Sequence, residues 1–149
     1  MPFYSITVDA IALVGGTAKT CLELGTSATV SRALLCAWWV DFDGITATAV
    51  PVKVEAQRAS AAVTTATTLT GEKFDPADGG PATVSKHSTS TEGAGTLNGG
   101  EIHRVHPQTG FFREYPQGRE LVIPLSGFWR LRLTAAANVN ATVGALWSE

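Results

Sequence analysis

Apolar and polar positions alternate with a period of two along most of this 149-residue chain, which is the pattern of half-buried β-strands. In residues 50–58 (VPVKVEAQR), Val50, Val52, Val54 and Ala56 share one face, and Lys53, Glu55 and Gln57 share the other. Pro51 cannot donate to a ladder, so it marks a strand entry, a bulge or a sheet edge. Phe128–Thr134 repeats the alternation, with Trp129, Leu131 and Leu133 inward and the arginines outward. A last strand over 139–147 sets Val139, Ala141, Val143, Ala145 and Trp147 against Asn138, Asn140 and Thr142.

The run 33–40 (ALLCAWWV) is uniformly apolar and predicts a strand buried on both faces. The Asp43-Gly44 that follows it is a hairpin-turn signal, and this favours a strand over a short helix. Residues 6–13, 19–24, 83–87, 102–106 and 119–125 complete a set of about eight to ten strands, as in a sandwich or barrel. No segment sustains a 3.6-residue period. Residues 56–68 are rich in alanine, but their threonines disfavour a helix interior, so a loop between sheets is expected. Residues 59–81 and 88–100 read as long loops, dense in Gly, Pro, Asp, Ser and Thr. Residues 1–8 are either an arm reaching a neighbour or the first edge strand. The whole of 1–149 is expected to form one antiparallel β-sandwich domain.

Composition narrows the function classes. Charged residues make up 16% of the chain, against about 25% in a typical domain, so the surface is mostly uncharged polar. The net charge is −2, which argues against a nucleic-acid partner, normally met by a basic stripe. No apolar run reaches the length of about 18 residues that spans a membrane. The N-terminus lacks the basic and apolar regions of a secretion signal. Cys21 and Cys36 lie in apolar runs and are expected to be free, buried thiols rather than a disulfide.

Candidate chemistry is sparse. His103 and His106 are three apart in a strand pattern, so their side chains point to opposite faces. Together with Glu114 they superficially resemble the cupin metal motif, but the spacing is His-x-x-His and no later histidine follows Gly118. His87 would have to come from a loop as a third ligand. There is no Gly-x-Ser-x-Gly elbow and no phosphate-binding glycine loop. Asp41, Asp43, Asp75 and Asp78 sit in turn sequences, where such residues make Asx turns. No catalytic activity, metal or cofactor is expected. A cupin-like metalloenzyme remains the enzymatic rival.

The aromatics carry more information. Trp38 and Trp39 are adjacent and point to opposite faces, which places their strand in mid-sandwich or at a subunit interface. Phe111, Phe112, Arg113 and Tyr115 form either a partner-binding anchor or a plug closing the sandwich. Phe3, Tyr4, Trp38 and Phe74 join them as candidate interface residues.

Several stretches resemble a group of small bacteriophage and prophage proteins encoded among virion structural genes. They are 16–24 (GTAKTCLEL), 39–44 (WVDFDG), 51–55 (PVKVE), 73–76 (KFDP), 105–107 (VHP), 115–120 (YPQGRE) and 131–135 (LRLTA). The order and spacing fit over about residues 8–149. Trp38-Trp39 and Phe111-Phe112 depart from the pattern. The resemblance implies a jelly-roll-like sandwich acting as a capsid decoration or cement protein on the virion surface. The implied partners are the major capsid protein and two further copies in a homotrimer, with no nucleic acid and no membrane. The long loops and the N-terminal arm would then face the shell or a neighbouring subunit. The alternative is a glycan- or receptor-binding module of a head or tail fibre.

Overall fold

The structure, a computed structural model, describes residues 1–26, 32–64, 66–89 and 97–149, with residues 97–99 described by backbone alone. Its strands are β1 (Phe3–Leu13), β2 (Ala18–Gly25), β3 (Ala33–Phe42), β4 (Val52–Ala59), β5 (Thr67–Leu69), β6 (Glu72–Lys73), β7 (Val84–His87), β8 (Leu97–Val105), β9 (Gly110–Glu114), β10 (Leu121–Ile123), β11 (Phe128–Thr134) and β12 (Val139–Ser148). There is no helix among the described residues.

Two antiparallel sheets pack face to face. Sheet A runs β10-β3-β12-β1-β6, with β9 also paired to β3, and sheet B runs β5-β7-β2-β11-β4-β8. Strands far apart in sequence pair as one wound ribbon: β1 with β12, β2 with β11, β3 with β9 and β10, and β4 with β8. An antiparallel ribbon wound this way over two sheets is a jelly roll. The three short strands β5, β6 and β7 are additions to that ribbon, and they account for a strand number above the sequence expectation.

Inward residues follow the alternation. Tyr4, Ile6, Val8, Leu22, Leu24, Val52, Val54, Trp129, Leu131, Leu133, Val143 and Trp147 are all buried. Where the period slips, a bulge restores it. Val8 and Ile11 both face inward because the register shifts between them, with Ala10 at φ 54°. Leu35 and Trp38 do so through the shift at Leu146/Trp147. Trp38 packs on Trp129 with ring centroids 6.5 Å apart, and Tyr4 stacks on Trp147 at 5.9 Å.

Several expectations are corrected. Residues 3–8 are no arm: they form the first half of β1, paired with β12 from Phe3↔Ser148 to Val8↔Val143. Asp43-Gly44 makes no hairpin, since β3 and β4 lie in different sheets. Gly44 instead packs against Pro107, donating to its carbonyl at 2.9 Å. Residues 110–114 form a strand on β3 rather than a loop. Val50 precedes β4 and is exposed, and Glu55 on the outward side of β4 is buried. Arg130 is buried as well, although it faces out of the sandwich.

The reason for that last departure is the segment after β4. Residues 60–64 fold back over the outer face of sheet B. Glu23 and Arg130 are cross-strand partners there, with Arg130 Nε donating to Glu23 Oε2 at 2.7 Å. The Val63 amide donates to both oxygens of Glu23, and Arg130 Nη2 donates to the Ala61 carbonyl. The chain then adds β5 to sheet B, lays Gly71 against the Trp147 ring, and adds β6 to sheet A. Much of the expected long loop 59–81 therefore closes one edge of its own sandwich. Of the second loop, 88–100, residues 90–96 lie outside the described residues.

Candidate functional site

Three surfaces gather the exposed apolar, aromatic and ionisable side chains that could meet a partner. The first is one end of the sandwich. The turns 14–17, 43–51, 106–109 and 135–138 meet there, because β1, β3, β8 and β11 all finish at that end. They hydrogen-bond one another: Gly16 N donates to the Ala135 carbonyl at 2.8 Å, and Gly15 N to the Asn138 side-chain Oδ1 at 3.0 Å. His106 braces the same end. Its Nδ1 accepts from the Gln108 amide at 3.2 Å, so its Nε2 carries the proton donated to Ala47 O at 3.1 Å. No Lys, Arg, Asp or Glu occurs in 14–18, 44–52, 106–110 or 135–140. The nearest acid, Asp43, accepts from the Asn140 amide and side chain at 2.9 and 2.7 Å, and these bonds hold its carboxyl below the usual carboxylate range. Val14, Ile45 and Val50 are exposed here, Ile45 to 90%. A cleft of about 480 Å³ opens between 43–50 and 135–139, with buried Val52 and Pro107 among its walls.

The second surface is the edge where β8 of sheet B meets β9 of sheet A. Arg113 donates from Nε and Nη2 to Glu101 Oε1 at 3.1 and 2.9 Å, which bridges the sheets and raises the guanidinium's pKa. His103 Nε2 lies 3.3 Å from Glu101 Oε2, and its ring packs on Phe111 at 4.2 Å. Arg113 stands over the Tyr115 ring at 5.1 Å, and the Tyr115 hydroxyl accepts from Trp38 Nε1 at 3.4 Å. Burial pushes the Tyr115 hydroxyl pKa up, and Glu101 adds to the rise. This network of Phe111, Arg113 and Tyr115 joins sheet to sheet, and Phe112 lies outside it.

The third surface is the outer face of sheet A. One cross-strand row runs Thr7, Gly144, Trp39, Phe112. Trp39 lies over Gly144, where a Cβ would overlap its Cζ2, Cε2 and Nε1. Trp39 and Phe112 have ring planes within 24° and centroids 6.5 Å apart. Phe112 is 61% exposed.

The eight candidate interface residues are therefore scattered. Tyr4 and Trp38 are corrected to core residues, at 2% and 0% exposure. Their inward parity in β1 and β3 puts them beyond any partner's reach. Phe111, Arg113 and Tyr115 belong to the sheet-joining cluster. Phe3 and Phe74 are exposed and adjacent, with Phe74 N donating to Phe3 O at 3.1 Å. Phe112 stands apart with Trp39, whose exposure the sequence signalled only through the opposite parity of the Trp38-Trp39 pair.

His103, His106 and Glu114 do not converge: one binds Glu101, one braces the loop end, and Glu114 lies outward on β9. Among the described residues, no three His, Cys, Asp or Glu side chains group as a metal site. Cys21 and Cys36 form no disulfide, the first being buried and the second half-buried. Asp75 makes the expected Asx turn, accepting from Ala77 N at 2.9 Å. No protein-family model, curated protein or solved structure matches the chain significantly.

Proposed function

We propose that this chain is a bacteriophage virion structural protein of the decoration or cement type. It sits as a homotrimer on the outside of the major capsid shell and stabilises it. The observation that carries this reading is the nearly uncharged loop end. Four turns whose one formal charge, Asp43, is held by Asn140 expose Val14, Ile45 and Val50 around a cleft with mostly apolar walls. Such a patch is cheap to desolvate and marks a contact surface. The turns are braced by inter-loop hydrogen bonds, so little ordering entropy opposes docking. A jelly roll is a recurrent fold of virion shells, and this architecture agrees with the motif resemblance. On this reading the shell-facing element is the loop end rather than the insertion that closes the sandwich edge. Trimerisation would cover the outer edge of β8, which pairs only with β4 among the described residues and exposes Ile102. Uncovered edges invite uncontrolled pairing. Several weak seats on one trimer add up to tight attachment.

The test is add-back to capsids of the encoding phage assembled without this chain. The wild-type protein binds them saturably and raises their resistance to heat. Ile45→Asp, at a fully exposed site, folds normally and loses binding by about a hundredfold, the effect of burying an unpaired charge at a contact centre. Light scattering gives a mass near three times 15.6 kDa for the free or shell-bound form. Capsids without vacancies that take up no added protein would defeat the reading.

A further inference from the structure

Sheet A turns an aromatic, acceptor-bearing surface to solvent, and neither the core nor the loop end uses it. We propose that this outer face is a carbohydrate-binding platform. It takes a neutral pyranose ring stacked on Trp39 and Phe112, with hydroxyls held by Asp41 and Glu114.

The argument starts from strand parity. Trp39 and Phe112 are registered neighbours on β3 and β9, so both project from the same face. Most aromatic pairs on a sheet stand up and interlock. Here Gly144 leaves the next strand bare, and the Trp39 indole lies down over it. Nearly parallel planes at 6.5 Å make a two-ring shelf rather than a face-to-face sandwich, whose rings would lie closer. Phe112 covers no core, and its ring is mostly in water. An apolar shelf of this shape matches the C–H face of a sugar ring, which is the one flat apolar surface a polyol offers.

The polar groups around the shelf fit the rest of such a ligand. Asp41 lies two residues beyond Trp39 on β3, and Glu114 two beyond Phe112 on β9. Each therefore stands on the same face, roughly 6.7 Å along its strand, and both are exposed. The Asp41 carboxylate lies over Gly110, which has no side chain to push it away. Ionised carboxylates accept charge-assisted bonds from hydroxyl groups. Thr7 and Thr142 add hydroxyls on the same face, and Thr142 donates to Asp9. No Lys or Arg occurs in β1, β3 or β12, and the one on β9, Arg113, is bound to Glu101 at the sandwich edge.

That charge pattern selects the occupant. A face that carries carboxylates and no cations repels nucleic acid, uronates and sialylated chains, and leaves neutral pyranose polymers. It also disfavours a second copy. Two-fold pairing across this face would bring Asp41 and Glu114 of both copies into one buried, like-charged surface.

The test uses the full chain in native gels containing mannan, galactan, β-glucan or xylan, with polygalacturonate as the anionic control. At least one neutral polysaccharide retards the protein, and polygalacturonate does not. Phe112→Ala and Trp39→Ala each weaken retention by about tenfold or more, as loss of an anchoring aromatic does. Both variants keep their thermal midpoint within a few degrees. Gly144→Ala, which lifts the indole, weakens retention in the same gels. Ile45→Asp keeps full retention while losing capsids, and Phe112→Ala keeps capsids while losing retention, so the two surfaces fail independently. Free migration of the wild type in all four neutral gels would overturn the proposal. So would retention that survives both aromatic substitutions. A drop in solution mass on Phe112→Ala would assign the face to a second copy instead.

Discussion

The two outer faces of the sandwich are built on opposite plans. The outer face of sheet B carries Lys53, Lys86, Arg104, Arg130 and Arg132, interleaved with Glu23 and Glu55. Glu55 is met by Lys53 at 2.6 Å and by Arg132 at 3.4 Å, and residues 60–64 bury the Glu23–Arg130 pair outright. The outer face of sheet A has no cation on β1, β3 or β12, and there Phe112 is mostly in water and Trp39 is half-buried. One face is consumed by the fold, and the other is left free. A charged pair becomes structural when the chain supplies its own cover and the remaining hydrogen bonds. An aromatic pair without cover stays available to a ligand.

The largest break in this contrast comes from Arg130→Met. It leaves Glu23 buried with only the Val63 amide, which costs about 3–5 kcal/mol. The doubly apolar Glu23→Leu/Arg130→Met regains more than half of that loss, because an unpaired charge, and not the missing bridge, is the expensive state. Urea midpoints measure both, and a cost below about 1 kcal/mol for the single change would mean that water reaches the pair. Next comes the contrast within β3. Trp38→Ala empties the core beside Trp129 and costs about 3–5 kcal/mol. Trp39→Ala removes a ring that is partly in water and costs well under half as much. Equal losses would show that Trp39 supports the fold.

The smallest effect concerns pH. Burial lowers the pKa of His87, at the end of β7 between β5 and β2. Below the ordinary value of about 6.5 the unfolded chain takes up a proton that the folded chain resists. Stability therefore falls as pH drops through that value toward the lowered one, and is unaffected above it. The slope disappears in His87→Gln, as thermal midpoints at pH 7.5 and 5.5 would record.

Strand parity was the readable part of the chain. Residues 52–58, 128–134 and 139–147 alternate cleanly because one side of each meets a single core. Other features depended on distant partners. Glu23 and Arg130 are 107 residues apart, and nothing local to either announces that residues 61–63 will cover them. Asp43-Gly44 has hairpin chemistry, but its neighbours belong to opposite sheets, and Pro107 with Asn140 fixes its path. Gly110–Glu114 lacks a flanking apolar run because only Phe111 and the edge cluster need burial. The loop end was hidden for a different reason: its apolar residues are spread over four turns and adjoin only when the ribbon winds.

The winding also brings residues 2–3 and 148–149 together. Glu149 N donates to Pro2 O at 3.3 Å, and Phe3 pairs with Ser148. That junction lies at the pole opposite the loops, since β1 runs toward them and β12 runs away. A peptide or enzyme inserted beside either strand terminus would leave through one shared exit, clear of the loop pole and beside sheet A. With the proposed seating, the molecule is a mount whose far pole carries cargo outward.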